Sequence, residues 1–298
     1  NGSCYLITDS RYTYQAEMEV NETKVLEYQY KNLIDKISEV LKNTKRVGIE
    51  GSMTISFYNK LKSKLENNEF VEYSNFFEEL RMVKSQNEQD LIEASSKLAC
   101  KAYLKTLENV KEGITEIELS AILEYEMKKR GATKASFDLI VASGKRSAMP
   151  HGLASEKKIE KGDIITFDFG SFYKGYASDC TRTISLGRPK DSKAYEIYKI
   201  VLDAQLSALS KIKEGTIAKE VDLEARNLIA KAGYGDNFGH STGHGVGLEI
   251  HELPHVSIDS ETVLKEGMVI TVEPGIYLNN KFGIRIEDLV IVTKNGCK

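Results

Sequence analysis

Apolar positions fall into two kinds of pattern along the chain. Over Tyr30 to Lys42 and Thr54 to Leu65 they recur at helical spacing, while Cys4-Tyr5-Leu6-Ile7-Thr8, Val47-Gly48-Ile49 and Glu69-Phe70-Val71-Glu72-Tyr73 read as strands. Residues 1–82 therefore read as a small α/β unit. A longer helical pattern starts at Ser85 and runs through Leu91, Ala94, Leu98, Tyr103 and Leu107 toward Gly113, a residue suited to stop it. This places a domain boundary near Arg81 to Ser85 and leaves 83–298 as the second unit. Turn signals beside strands at Asn1-Gly2-Ser3 and Asn295-Gly296-Cys297-Lys298 suggest a chain that opens inside a hairpin and is truncated at both ends.

Beyond residue 85 the pattern repeats itself. Val110-Lys111-Glu112-Gly113-Ile114 is echoed 102 residues later by Ile212-Lys213-Glu214-Gly215-Thr216, each ahead of a helical run closed by Gly131 or Gly233. Lys161-Gly162-Asp163-Ile164-Ile165-Thr166-Phe167-Asp168-Phe169-Gly170 matches Glu266-Gly267-Met268-Val269-Ile270-Thr271-Val272-Glu273-Pro274-Gly275 at an offset of 105, and Met149-Pro150-His151 matches Leu253-Pro254-His255 at 104. Near-constant offsets imply an internal duplication, two similar halves about an approximate two-fold axis. Such packing sets Asp168 and Glu273 at equivalent ends of equivalent apolar strands. A carboxylate at the end of a buried strand needs a partner, such as a cation.

Composition narrows the classes. At 298 residues, 41% hydrophobic and 29% charged, the chain suits about two globular domains rather than a disordered protein. A net charge of -3 from 41 basic and 44 acidic residues gives no footprint for nucleic acid. The apolar runs Val269 to Val272 and Leu289 to Val292 are strand length, far below the roughly 20 residues of a membrane span. Four scattered cysteines, Cys4, Cys100, Cys180 and Cys297, show no CxxC spacing and fit a reducing, cytoplasmic setting.

The candidate chemistry lies in the repeated region. All five histidines, His151, His240, His244, His251 and His255, fall there. Gly239-His240-Ser241-Thr242-Gly243 fits the pattern of a nucleophile elbow but lacks the preceding strand, and the only acids before the last histidine, Glu249 and Glu252, are too close in sequence to the histidines for the separate loops a serine hydrolase uses. His251-Glu252-Leu253-Pro254-His255 fits H-E-x-x-H, yet Pro254 cannot sit inside the helical turn that motif requires. What remains is rich in carboxylates. A hairpin across Gly170 to Tyr176 can bring Asp168 beside Asp179, and adding His244, Glu273 and Glu287 gives four acids and one imidazole. Four such acids repel unless cations lie between them, and oxygen-dominated ligation favours Mn²⁺, with Co²⁺, Zn²⁺ or Fe²⁺ as alternatives.

In the contexts Asp-Phe-Gly, Ser-Asp-Cys-Thr-Arg, Gly-His-Gly-Val-Gly-Leu, Val-Glu-Pro-Gly and Arg-Ile-Glu-Asp, these residues resemble the pita-bread metallopeptidases, which include methionine aminopeptidase, aminopeptidase P and prolidase. The resemblance covers 84–298, and residues 1–80 resemble the later part of the amino-terminal domain of the proline-specific branch. It implies an α+β fold: a pita-bread catalytic domain with a pseudo-two-fold duplication, preceded by a truncated α/β domain. Gly283-Ile284-Arg285-Ile286-Glu287-Asp288, together with His240-Ser241-Thr242-Gly243-His244, points to Xaa-Pro aminopeptidases and dipeptidases. A methionine aminopeptidase-like peptidase, or a non-catalytic binding protein on the same fold, is the alternative.

The resemblance further implies two divalent metal ions held by Asp168, Asp179, His244, Glu273 and Glu287, with Asp179 and Glu287 shared between them. Glu273 would also carry protons, His151 and His251 would line the pocket with His240 nearby, and Arg285 would orient carboxylates. Short peptides with proline at the second position are the implied substrates, and a homodimer the implied assembly. No role falls to His255, for which a surface position is expected.

Overall fold

The structure is a computed structural model that describes residues 2–30 and 32–298. Asn1 and Lys31, which belong to the expected opening turn and the expected Tyr30-to-Lys42 helix, lie outside the described residues. The chain divides into two compact units, residues 1–77 and 78–298.

In the first unit, β1 (Cys4–Asp9), α1 (Thr13–Glu19) and β2 (Thr23–Tyr28) form a crossover whose strands pair in parallel, Cys4 opposite Thr23 and Asp9 opposite Tyr28. After α2 (Leu33–Leu41), the same arrangement recurs as β3 (Arg46–Glu50), α3 (Ile55–Lys64) and β4 (Glu69–Tyr73). Thr54 caps α3 by accepting from the Phe57 N–H. A short helix, α4 (Phe76–Met82), follows.

The second unit is built from two halves of like construction. The first half has a helix pair, α5 (Gln86–Leu107) and α6 (Glu116–Lys129), then β5 (Lys134–Ala135), β6 (Ile140–Ser143), β7 (Ile164–Phe169), β8 (Ser171–Tyr173), β9 (Tyr176–Ala177) and β10 (Cys180–Ser185). Ser85 with Glu88, and Thr115 with Glu118, form reciprocal capping boxes at the two helix starts. The sheet order is β10-β7-β6, all antiparallel, and β8 and β9 form a small hairpin that turns at Lys174-Gly175. The second half has α7 (Ala194–Lys211), α8 (Ala218–Lys231), β11 (Gly243–Gly245), β12 (Glu252–Val256), β13 (Val269–Val272), β14 (Gly275–Leu278), β15 (Phe282–Arg285) and β16 (Asp288–Ile291). Its sheet runs β12-β11-β13-β16, beside the hairpin β14-β15.

Each helix pair buries its apolar stripe on its own sheet, so there are two cores. Leu98, Leu119, Leu123 and Met127 pack on Val141, Ile165, Phe167 and Phe169, while Ile197, Val201, Val221 and Ile229 pack with Ile270, Val272 and Ile284. The duplication extends to individual backbone hydrogen bonds. Gly113 N–H donates to Ile159 O and Gly215 N–H to Leu264 O, both at 2.9 Å, and the returning bonds to Ile114 O and Thr216 O are both 2.8 Å. Ile140 pairs with Leu153 as Gly243 pairs with Val256. The third repeat motif diverges locally, since Met149-Pro150 lies in a turn and Leu253-Pro254 on β12.

One expectation is corrected. The first long helix ends at Leu107, not near Gly113. Asn109 and Val110 close tight turns onto Thr106 and Leu107, freeing the chain to reach the Ile159 pairing, and Gly113, at φ +87°, serves that later turn.

Candidate metal centre

Sheet register sets the first two acids side by side. Antiparallel pairing of β7 and β10 puts Thr181 opposite Asp168, with Asp179 just ahead of β10. Glu273 follows β13 in the second half, and Glu287 lies between β15 and β16. Glu287 N–H donates to Thr181 O at 3.2 Å, which joins the two halves at this point. Asp168, Asp179 and Glu287 each offer an oxygen within 4.8 Å of the others'. His244, on β11, completes the group: its Nε2 lies 3.4 Å from Glu273 Oε1 and 3.6 Å from Asp179 Oδ2.

The hydrogen-bond pattern fixes how these groups present themselves. His244 Nδ1 is 3.0 Å from Gly245 O, and a carbonyl only accepts, so Nδ1 carries the proton and Nε2 offers its lone pair to the cluster. Thr271 Oγ1 donates to Glu273 Oε1 at 3.2 Å and Thr181 Oγ1 to Glu287 Oε2 at 2.7 Å. Arg285 is buried and reaches four ways, with Nη2 to Asp168 Oδ2 at 2.7 Å, Nε to Thr181 Oγ1 at 3.1 Å, and Nη1 to Tyr277 Oη at 2.8 Å and to the Pro150 carbonyl.

Some polar capacity is left over. Asp168 Oδ1, Asp179 Oδ1 and Glu287 Oε1 are buried without a hydrogen-bond partner, and among the described residues no other buried side-chain N or O atom shares that condition. A buried carboxylate oxygen without a donor costs on the order of 1–3 kcal/mol or more. Three such atoms on three clustered carboxylates, with the His244 lone pair facing Asp179 and Glu273, fit oxygen-rich divalent cations.

Electrostatics of the protein alone point the same way. Burial, reinforced by the charges of Glu287, Asp168 and Glu273, drives the Asp179 carboxyl well above the usual range. Burial, then Glu273 and Asp168, does the same to Glu287. Burial raises Glu273 to about 7 against the opposing pull of Arg285. Burial also lowers His244 to about 4, so its imidazole is neutral. Protonated acids beside a neutral histidine describe a site from which cations would displace protons.

The other histidines are placed as follows. His251 is exposed, with its ring 4.4 Å from that of His244 in an edge-on arrangement. His240 is half-buried, lowered to about 4 by burial, and its Nε2 meets Tyr277 Oη at 2.9 Å. His151 is exposed, one residue beyond Pro150, whose carbonyl accepts from Arg285 Nη1 at 3.2 Å. His255 is exposed, as expected. The sequence reading missed Tyr277, which ties His240 to Arg285, and Thr181 and Thr271, which orient Glu287 and Glu273. Thr181 stands two residues after Asp179 and Thr271 two before Glu273, a spacing that puts them on the same strand faces.

A carboxylate and histidine cluster at the junction of two duplicated α+β halves defines a class, the hydrolases built around bound metal. Residues 90–294 match the model of metallopeptidase family M24, and residues 1–83 match the creatinase/prolidase N-terminal domain. The chain belongs to metallopeptidase family M24. It is 49% identical over 282 residues to the Xaa-Pro dipeptidase of Pyrococcus furiosus, covering 95% of this chain and 80% of that protein. The solved Xaa-Pro dipeptidase from Bacillus anthracis matches with a TM-score of 0.94 at 45% identity, over 98% of this chain and 82% of that one. The X-Pro aminopeptidase from Thermotoga maritima matches at 0.92 and 42%, over 100% of this chain and 85% of that one. The fold is that of the prolidase structures, an M24 pita-bread domain after a creatinase-type domain.

Proposed function

We propose that this chain is an Xaa-Pro dipeptidase, hydrolysing the peptide bond that precedes proline in short peptides. The observation that carries the reading is the cluster of Asp168, Asp179 and Glu287, each with a buried carboxylate oxygen that has no hydrogen-bond partner, beside a His244 Nε2 that lies 3.6 Å from Asp179 Oδ2 and 3.4 Å from Glu273 Oε1. The relatives named for Xaa-Pro cleavage, at 49% and 45% identity, supply the substrate class. The amino-terminal domain matched over residues 1–83 favours it over a methionine aminopeptidase-like enzyme. The filled acid and histidine positions favour it over a binding protein. We assign the catalytic domain to residues 83–298 and the partial amino-terminal domain to 1–82.

Asp168, Asp179, His244, Glu273 and Glu287 would hold two divalent ions, with manganese first in our expectation. Bound there, the ions supply Lewis-acid polarisation and a nucleophilic water near neutral pH. The residues around them perform the remaining work. Glu273 would take a proton from the attacking water and return it to the leaving nitrogen. His251 and His151, both accessible to substrate, donate to the developing oxyanion. His240 stands behind them through Tyr277. Arg285 pairs with Asp168 and locks its orientation.

Four free thiols support a reducing, cytoplasmic setting, and among the described residues no helix is long and apolar enough to cross a membrane. A homodimer is part of the proposal. Comparing cleavage of Xaa-Pro with Xaa-Pro-Xaa tests the specificity: rapid hydrolysis of the dipeptide alone supports a dipeptidase, and preference for the longer peptide makes the chain an aminopeptidase.

A further inference from the structure

Outside the cluster, the second unit contains an ion triad with two buried members and a third, Arg81, whose side chain is 26% exposed. Glu252, at the start of β12, has a side chain 3% exposed and the Lys84 side chain is 2% exposed, with Lys84 Nζ 3.1 Å from Glu252 Oε2. Arg81 donates to Glu252 Oε1 through Nε at 3.1 Å and also through Nη2. The same oxygen accepts the Glu249 N–H at 3.0 Å. Lys84 is itself fixed, its N–H donating to Gly267 O at 3.0 Å and its carbonyl accepting from Gln89 Nε2 at 2.8 Å.

This triad lies under the loop 246–251, which joins β11 to β12. The loop is held at its base by Val246 N–H to Val269 O and by Ala177 N–H to Gly247 O, while its outer part, with Leu248 46% exposed, is tied down by the Glu249 N–H to Glu252, by Arg81 Nη2 3.4 Å from Glu249 Oε2 and by the His251 ring against that of His244. The fit is close at Gly247, where a Cβ would come within 2.5 Å of Glu252 Oε2 and 2.9 Å of Lys84 Cε. The loop ends at His251. Burying the Lys84 and Glu252 charges for stability alone gains little, since desolvation offsets the attraction. Fixing the geometry of a neighbouring group is the better account of their retention.

We infer that Glu252, fixed by Lys84 and Arg81, is a positioning residue that holds the loop 246–251 so that the His251 imidazole stays against His244. The inference rests on the reading of His251 as a pocket residue. Its mechanism is entropic: an exposed histidine at the end of a six-residue loop is held near one orientation before substrate arrives.

The test uses the full chain loaded with Mn²⁺. The paired variant Lys84→Met/Glu252→Leu replaces the two buried ions with apolar groups and leaves the part-exposed Arg81 its second partner, Glu249, so its melting temperature should stay close to the parent's. Its metal content should be unchanged, its KM little altered, and its kcat lowered on the order of 10²-fold. The loss should not add to that of His251→Ala: the combined variant should match His251→Ala alone within about twofold. In metal-free protein carrying ¹⁵N-labelled histidine, the His251 ring resonances should move toward those of a free imidazole while those of His244 stay. Should the paired variant melt early, Glu252→Gln, which keeps the shape, carries the same criteria. A folded variant with parental kcat and an unmoved His251 resonance overturns the inference. A parental rate in His251→Ala overturns the reading of His251 beneath it.

Discussion

The Nε2 of His244 faces the Oε1 of Glu273 across 3.4 Å, on two antiparallel strand segments joined by the Thr271 hydroxyl, which accepts from His244 N–H and donates to that same Glu273 oxygen. An imidazole lone pair and a carboxylate oxygen at that separation do not bond to each other unless a proton or a cation lies between them.

Replacing Glu273 with alanine removes both a candidate ligand and the candidate proton carrier. We expect kcat for an Xaa-Pro dipeptide to fall by at least about 10³-fold, beyond the usual effect of losing a general base alone. Steady-state kinetics together with metal analysis check this. A near-parental rate would assign the proton transfer to another group.

The contribution of Glu273 to the stability of the metal-free protein should depend on pH in a particular direction. Glu273 titrates at about 7 in the folded chain against 4.5 when unfolded, and Asp179 and Glu287 are raised too. A raised acid binds more protons folded than unfolded, so its contribution is fully present below the unfolded value and fades as pH rises through the folded one. For Glu273 the loss between pH 4.5 and about 7 is on the order of 3 kcal/mol. His240 and His244, lowered to about 4 by burial, oppose this slope up to their unfolded value of 6.5, so the acid's share is isolated by comparing the metal-free parent with Glu273→Gln. Chemical denaturation across that window should show the parent losing more stability than Glu273→Gln as pH rises, and an equal pH dependence would contradict the assignment of Glu273 as a buried, raised acid.

Arg285→Lys keeps the charge but loses the fork that spans Asp168, Thr181 and Tyr277. Metal affinity should drop about 10- to 100-fold, as for other groups that orient ligands. Calorimetric titration of the metal-free variant measures it, and unchanged affinity would confine Arg285 to a structural role.

His151 should behave differently from the acids. His151→Ala is expected to lower turnover by about 10² or more at full metal content, as for a lost oxyanion donor. A metal-depleted variant would make His151 a ligand instead.

Much of this arrangement was legible in the chain because duplication leaves a mark in one sequence: Asp168 and Glu273 are found by the offset of their strands. The rejection of a helix through Pro254 also agrees with the fold, where Glu252–Val256 is a strand. Other parts leave no periodic trace. Tyr277 lies in a four-residue strand whose alternation marks it only as core, and its link from His240 to Arg285 depends on packing between distant segments. Glu252 read as a spurious motif member because its partners, Arg81 and Lys84, stand about 170 positions earlier. The end of the first long helix was misplaced since Gly113 signals a turn without saying which pairing it serves.

The central claim is that cations let these acids share one small volume, and it is tested by measuring metal content and Xaa-Pro hydrolysis on the same exhaustively chelated sample. The account expects no hydrolysis without metal, recovery that saturates at two Mn²⁺ per chain, and release of protons on binding that is larger at pH 6 than at pH 8.5. Full activity in a demonstrably metal-free sample would contradict it.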